Sequence, residues 1–478
     1  MTATLDAPPP ILDEADVRRS ARGCPPLTAR LEPWMRDLLA DPAAVARLVP
    51  EDSPVNVHDT AAFGRNAGEL QNAASAHGVE LAVFFARKAN KCLAYVREAG
   101  RLGIGVDVAS GQELRQTLDA GVSPSRVIVT AAVKTGELID ACIAHGVTAS
   151  LDNADELARF ATAAQRQRRD ASVALRLARF THEGRTLPSR FGFDVGDAAA
   201  VARTLQETRL QLDGLHFHLD GYDAAQRATA AHACLDVIAA LRSQDHPLTF
   251  LDIGGGVPMS HLDSPREWAD FWAAVEADPG AVTVDGTRYR RGGGRSVYPY
   301  HQSPTRGRWL DGLLRTTDNA GQTVADRLQE LHVELRCEPG RSMLDGCGLT
   351  LARVESRKPC PPSVNAHGGT LVGLMMNRTQ CRTTSEDFLL DPVLVPCGKD
   401  RGPATAGYLT GAYCMESEFL TKRRLSFPRG VAVGDVVAFV NTAGYMMHFL
   451  ESRSHQFPLA PNLIVDGDRR TPDPVDAL

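Results

Sequence analysis

The sequence predicts an α/β protein, a (β/α)8 barrel of the TIM type followed by an all-β domain. Three observations predict it. First, eight short apolar runs alternate with helical segments between Ala82 and Cys337. Strands alternating with amphipathic helices build βαβ units and a parallel sheet, and eight such units over about 260 residues suit a closed barrel better than an open sheet. Second, polar residues and glycines collect at the ends of these runs, which a barrel brings to one mouth. Third, helical spacing fades after residue 345, and Ser363 to Phe449 reads as short β segments with Gly and Pro turns.

Taken in order, residues 1–25 are rich in Pro and Ala and are expected to be poorly ordered. Leu31 to Val49 carries helical apolar spacing, and Ser53-Pro-Val-Asn-Val-His58 is a short strand candidate, so 26–59 is read as a segment that packs with the β domain. The barrel is placed over 60–345. Its strands are expected at Ala82–Lys88, Gly105–Ala109, Val127–Ala131, Thr148–Leu151, Val173–Leu177, Gly214–Leu219, Leu248–Ile253 and Leu331–Cys337, with helices such as Ser110–Ala120 and Asp197–Thr208 between them. A long connection from Pro258 to Ala325 separates the seventh and eighth strands. It carries six arginines and no acid between Arg288 and Arg308. The β domain is assigned to 346–478.

Composition narrows the function. With 43% hydrophobic and 23% charged residues the chain is ordinary for a globular protein, and its net charge of -6 argues against nucleic acid as a partner. No apolar run reaches the roughly 18 residues of a membrane span. The first ten residues show no secretory pattern, and the ten cysteines are scattered singly, which reads as reduced thiols in a cytoplasmic protein.

The polar ends of the runs hold the chemistry. Lys88 closes the first strand, and a lysine desolvated there becomes a nucleophile toward an aldehyde. Asp107, Asn153 and Arg176 end later strands. His216 and His218 are two apart and point to one side. They could bind a metal, but no carboxylate follows at metalloprotease spacing, and no metal is expected. Leu251-Asp-Ile-Gly254-Gly255-Gly256 runs a strand into three glycines, whose backbone N–H groups can close on a phosphate. It lacks the dinucleotide spacing, as does Gly103-x-Gly105, which disfavours a nicotinamide enzyme. Glu338-Pro-Gly340-Arg341 pairs a carboxylate with a guanidinium at the eighth strand, suited to a cofactor with a ring nitrogen and a phosphate.

These motifs, with Ala86-Arg-Lys88-Ala-Asn90, Gly105-Val-Asp107-Val-Ala-Ser110 and Ser189-Arg-Phe-Gly192, resemble the fold-type III pyridoxal-phosphate decarboxylases, the diaminopimelate, ornithine and arginine decarboxylase group. The resemblance spans roughly 50 to 450, and the whole chain looks most like an uncharacterised rhizobial branch. It implies that Lys88 forms the Schiff base with pyridoxal 5'-phosphate and that His218 stacks on the pyridine ring. It further implies that Glu338 pairs with the ring nitrogen and that Gly254, Gly255, Gly256, Gly340 and Arg341 cradle the phosphate, with Asp107 and Arg176 also near the cofactor. Gly411-Ala-Tyr413-Cys414-Met-Glu416 resembles the family segment that reaches into a neighbour's site across a homodimer. Cys414 is then the proton donor, Tyr413, Glu416 and Arg341 contact substrate, and Tyr445 touches the phosphate.

Three departures mark a divergent branch. Leu219-Asp220-Gly221 replaces the family's Gly-Ser after the stacking histidine, so a phosphate-binding hydroxyl is missing. Met415 is inserted beside Cys414, leaving open whether Glu416 or Glu418 faces the substrate. The long basic insertion is atypical, and folded over the mouth it would hold an acidic group. The reaction implied is decarboxylation of an amino acid or an amino-acid conjugate, in siderophore or other secondary metabolism. A pyridoxal-phosphate racemase, and an inactive homologue that binds or regulates a partner, are the alternatives. Carbon dioxide, an enantiomer or neither as product separates the three.

Overall fold

The computed structural model describes residues 11–477 apart from Glu207, Arg288, 290–296, 384–386 and Asp468. The chain forms two compact units. One comprises residues up to 62, 260–302 and 344 onward; the other comprises 63–259 and 303–343.

The second unit is the barrel. Its strands are β1 (Leu81–Ala86), β2 (Gly105–Val108), β3 (Val127–Val129), β4 (Thr148–Leu151), β5 (Ala171–Ala178), β6 (Leu210–His216), β7 (Phe250–Asp252) and β8 (Glu334–Cys337). All pair in parallel, and β8 returns to β1 to close the ring. Each expected strand is present. The helices between them start where short polar side chains cap them: Ser110 before Gly111–Asp119, Thr135 before Gly136–His145, Asn153 before Ala154–Gln167 and Asp223 before Ala224–Arg242. Such caps satisfy backbone N–H groups that a first helical turn leaves open. Phe85 packs edge-on to Phe63 of the helix Ala61–Ser75, 5.1 Å between ring centres, whereas Phe84 meets Arg336 of β8, whose guanidinium lies 5.3 Å from the Phe84 ring and 3.6 Å from that of Phe250. This alternation is the two-residue period of a strand. Two glycines make room for these rings, because a Cβ on Gly105 would sit 2.4 Å from Phe84 and one on Gly214 2.4 Å from Phe250.

The other unit is built on sheet. Its strands run in the order Arg22–Gly23, Leu425–Phe427, Thr405–Thr410, Thr370–Leu374, Gly348–Pro359, Val55–His58, Asn462–Asp466 and Arg469–Pro472, with Val436–Val440 bridging Gly348–Pro359 to Val393–Val395. Three expectations are corrected here. Residues 11–25 are not featureless: Glu14–Arg19 is a helix capped by Asp13, and Arg22–Gly23 pairs with Leu425 and Ser426. Residues 260–302 of the long connection belong to this unit rather than to the barrel. Val284 donates to the Lys422 carbonyl at 2.9 Å and packs with Cys360, Leu371 and Tyr408. Finally, Arg306 of the basic tract is not an open charge over the mouth. Arg306 starts a barrel helix (Arg306–Leu314) and is paired with Glu69 at 2.7 Å, while Arg288, Arg290, Arg291 and Arg295 lie outside the described residues.

No described helix is long and apolar enough to cross a membrane. Gly105→Ala should lower stability by about 1–3 kcal/mol through overpacking against Phe84, read as the midpoint of urea unfolding. An unchanged midpoint would mean that the ring moves aside without cost.

Candidate active site

Lys88 sits in a single 3-10 turn, Arg87–Ala89, directly after β1. Its neighbour Arg87 anchors that turn: the guanidinium is buried and donates to the Glu113 carbonyl (2.7 Å), to Thr117 Oγ1 (3.3 Å) and to Gln116. Lys88 Nζ then reaches Asp107 Oδ2 at the end of β2, 2.8 Å away. The Asp107 side chain has no exposed surface, and Thr130 Oγ1 donates to its other oxygen at 2.5 Å. The lysine is therefore held by a carboxylate that is itself fixed.

Across the rim, β6, β7 and β8 contribute a buried acid cluster. Ligand atoms of His216, Asp252 and Glu338 lie within 4.8 Å of one another. Ser150 Oγ hydrogen-bonds His216 Nδ1 at 2.7 Å, and His216 Nε2 stops 3.6 Å from Glu338 Oε1. Neither of those last two atoms has a hydrogen-bond partner among the described residues. Burial, reinforced by Asp107 and Asp252, pushes the Glu338 carboxyl well above its ordinary range. Burial also raises Asp252 to about 7. It drives His216 well below its usual value, with Arg176 adding to the effect, so that the ring is neutral. The distances would admit a metal ion, and protons retained on the two carboxyls would answer the same burial.

The glycine loop closes the site. Asp252 Oδ1 accepts the Gly254 N–H (2.8 Å), the Glu338 N–H donates to the Gly254 carbonyl (2.9 Å), and the Gly255 N–H donates to His218 Nδ1 (3.1 Å). Because that nitrogen accepts, His218 is neutral. Burial first, then Lys88 and Arg176, take its pKa down to about 3. A Cβ on Gly254 would lie 2.6 Å from the Phe217 carbonyl and one on Gly255 2.9 Å from that of Glu338, so the loop approaches both neighbours as only glycine allows. Gly340 accepts from the Met343 N–H, half-buried Arg341 follows it, and the Ala86 N–H donates to the Pro339 carbonyl (3.2 Å), which ties this turn to the lysine's strand. Arg176 is buried on β5, 3.6 Å from Asp152 and 4.1 Å over the Phe191 ring of the Ser189-Arg-Phe-Gly192 motif. Burial lowers its pKa.

The remaining candidates belong to the other unit. Cys414 is exposed, and its Sγ lies 2.9 Å from His455 Nε2. Tyr413 stacks on the His455 ring (4.7 Å, 17° between planes), and its hydroxyl donates to the Ser452 carbonyl. Between the two glutamates left open by sequence, Glu418 is buried and accepts from the Arg378 N–H at 2.7 Å, with the Arg378 guanidinium 3.5 Å from its second oxygen; Glu416 is exposed. Tyr445 is half-buried in a left-handed conformation (φ 71°), edge-on to Phe449.

Lys88, Asp107, Arg176, His216, His218, the three glycines, Glu338 and Arg341 thus belong to one unit. Asn153, grouped with them by sequence, is occupied as a helix cap. Sequence reasoning missed Ser150, Thr130, Asp152 and Arg227. The first three are short polar residues with no motif around them, and Arg227 looks like an ordinary charge on a helix.

The donor set fits pyridoxal phosphate. A lysine amine stands at the barrel mouth, a buried acid has a spare oxygen for a ring N–H, a neutral imidazole is available for stacking, and a glycine loop can face a phosphate. Residues 66–277 match the family model described as pyridoxal-dependent decarboxylase, pyridoxal binding domain. An uncharacterised protein of Sinorhizobium fredii, y4yA, is 31% identical over 460 residues, covering 94% of this chain and 96% of that one. A diaminopimelate decarboxylase of Pseudomonas aeruginosa is 25% identical over 452 residues, 91% and 92% of the two chains. Among solved structures, the diaminopimelate decarboxylase of M. jannaschii in co-complex with L-lysine superposes with a TM-score of 0.69 at 19% identity, over 93% of this chain and 94% of that one; this likeness speaks to the fold.

Between about pH 4 and pH 7 an unfolded Asp252 has released its proton while the folded one retains it, so this group costs the folded state stability as pH rises through that window. Asp252→Asn keeps an oxygen for the Gly254 N–H and removes the titration. In urea unfolding of the cofactor-free protein, the wild type should lose stability relative to this variant between pH 4 and pH 7.5. Parallel pH profiles would contradict the raised pKa.

Proposed function

The chain belongs to the fold-type III pyridoxal-phosphate-dependent decarboxylases, and from that premise we propose that it removes the α-carboxylate of an amino acid or amino-acid conjugate with Lys88 as the cofactor's attachment point. The observation that carries this reading is the buried Glu338 with an unpartnered oxygen on the same barrel rim as the Lys88–Asp107 pair. Bound pyridoxal phosphate supplies an electron sink for the pair released as the carboxylate leaves.

The protein's own groups divide the remaining work. Asp107, held through Oδ1 by Thr130, takes or returns the Lys88 ammonium proton at Oδ2 as the amine reacts. Glu338 Oε1 accepts from the ring N–H and keeps that nitrogen charged. His218, neutral and held through Nδ1 by Gly255, offers a ring face without adding positive charge beside that nitrogen. Gly254, Gly255, Gly256, Gly340 and Arg341 would hold the phosphate and Arg176 would steady the rim, with Tyr445 the further phosphate contact that the family resemblance implies. Cys414, supplied by a second copy in a homodimer, returns a proton to Cα, with His455 Nε2 beside its sulfur. Glu416, rather than the engaged Glu418, contacts substrate with Tyr413.

Curated relatives named diaminopimelate decarboxylases and a structural neighbour in co-complex with L-lysine support an amino-acid substrate. The arginine-rich tract supports the finer reading of an acidic conjugate of the kind used in siderophore or secondary-metabolite assembly. Ten cysteines, none in a disulfide, support a reducing, cytoplasmic setting.

Purified protein should show a visible absorption band that borohydride removes, and Lys88→Ala should lack both the band and carbon dioxide release. Full turnover by that variant would sink the assignment. Glu338→Ala should still bind cofactor yet lose about 10²-fold or more in kcat, the scale of a positioned proton-holding group. A rate equal to wild type would mean that the acid plays no part in the sink.

A further inference from the structure

Arg227 is a buried cation that the reactions above leave unused. It lies one turn into the helix Ala224–Arg242, with none of its surface exposed. Its Nη2 donates to three carbonyls, those of Leu219 (2.8 Å), Gly221 (2.9 Å) and Gly255 (3.2 Å), and Nη1 donates to that of Asp223 (3.4 Å). Nε has no partner, and no carboxylate pairs with the guanidinium among the described residues. Two other deeply buried cations face a carboxylate, Lys134 with Glu156 at 3.0 Å and Arg423 with Asp391 at 2.8 Å, whereas buried Arg87 donates to a carbonyl and to neutral side chains. Burial lowers the Arg227 pKa to about 10, which leaves it charged at neutral pH. A desolvated charge without a counter-ion costs several kcal/mol, so its place in the fold calls for an anion.

Its surroundings say which. The three carbonyls belong to the turn at Leu219-Asp220-Gly221, where the family's phosphate-binding hydroxyl is missing, and to the glycine loop. Arg227 lies directly against that loop, since a Cβ on Gly256 would fall 1.9 Å from Nη2. The peptide whose carbonyl it binds, Gly255–Gly256, carries the Gly256 N–H at its other end. A cation on the carbonyl orients that peptide and polarises its N–H. The Trp309 ring lies 5.6 Å from the guanidinium, and Trp309 is itself fixed by its Nε1–H on the Tyr222 carbonyl (2.8 Å).

We propose that Arg227 is a positioning residue for the phosphate of the bound cofactor, and that it replaces the missing hydroxyl with positive charge delivered through the Gly255–Gly256 peptide. The phosphomonoester dianion is then the counter-ion this guanidinium lacks. The inference rests on the pyridoxal-phosphate reading and deepens it.

The test compares pyridoxal phosphate with pyridoxal, which shares the aldehyde and ring but has no phosphate. Each is titrated into full-length protein freed of cofactor, and binding is read from the visible absorption change. Arg227→Gln keeps a donor and removes the charge; Arg227→Lys keeps the charge. The Gln variant should lose about tenfold or more in affinity for pyridoxal phosphate, the scale of one charge-assisted contact, with pyridoxal binding within about twofold of wild type. The Lys variant should retain most of the preference. A merely structural arginine would weaken both ligands equally, and that outcome, or an unchanged preference in the Gln variant, overturns the proposal. Should the Gln variant fail to fold by circular dichroism, Arg227→Lys carries the test: a phosphate preference of about tenfold or more should remain with the charge, and its loss with pyridoxal binding intact overturns the proposal. If wild type binds neither ligand, the cofactor reading itself fails, which is a separate result.

Discussion

Closing eight parallel strands into a ring is the constraint from which the rest of this site follows. A closed parallel barrel has no edge, and it delivers the C-terminal ends of all eight strands to one rim. Here that rim gathers Lys88, Asp107, Arg176, His216, Asp252 and Glu338 from six strands spread over some 250 positions of sequence. The ring closes because small residues allow it. Gly105 and Gly214 admit the rings of Phe84 and Phe250, which flank the Arg336 guanidinium, and the next layer outward is polar.

Burial of that polar layer decides its electrostatics. Two carboxyls are pushed toward their protonated forms and two imidazoles toward their neutral forms, while Arg227 keeps its charge and Lys88 faces Asp107 at 2.8 Å. Such a pattern is poorly suited to holding itself together and well suited to receiving a ligand that carries complementary charge at both ends. In the proposed reading a ring N–H would answer Glu338, and a dianion would answer the glycine loop with Arg227 behind it. Groups whose pKa values are strongly displaced cluster where a reaction is run, and His216, His218, Asp252 and Glu338 are displaced together on this rim.

The β-sheet unit shows how far local pattern reaches. Val55–His58 reads as a strand from its alternation and is one, but its partners Gly348–Pro359 and Asn462–Asp466 lie some 300 and 400 residues away. No local signal could have announced them. The long connection shows the same limit. Its Thr283 and Val284 pair with Arg423 and Lys422, some 140 residues on, and Arg306 turns back to Glu69. Glu418 and Glu416 were indistinguishable by position, and only the Arg378 contacts separate the engaged carboxylate from the exposed one.

The alternation of short apolar runs with helices, the capping residues and the glycines after β7 were enough by themselves to determine the barrel, its eight strands and the motifs on its rim. These are short-range features, governed by backbone geometry and by polar groups competing for nearby N–H donors. What only the tertiary structure decided was which of the polar residues lose their water and what they then face. Asn153 and Arg176 look alike as strand-end polar residues, yet one caps a helix and the other is buried beside Asp152. Arg227 looks like a solvated helix charge, yet it is wholly buried behind the glycine loop. Desolvation depends on every neighbour packed around a group, and those neighbours come from strands and helices far apart in the chain.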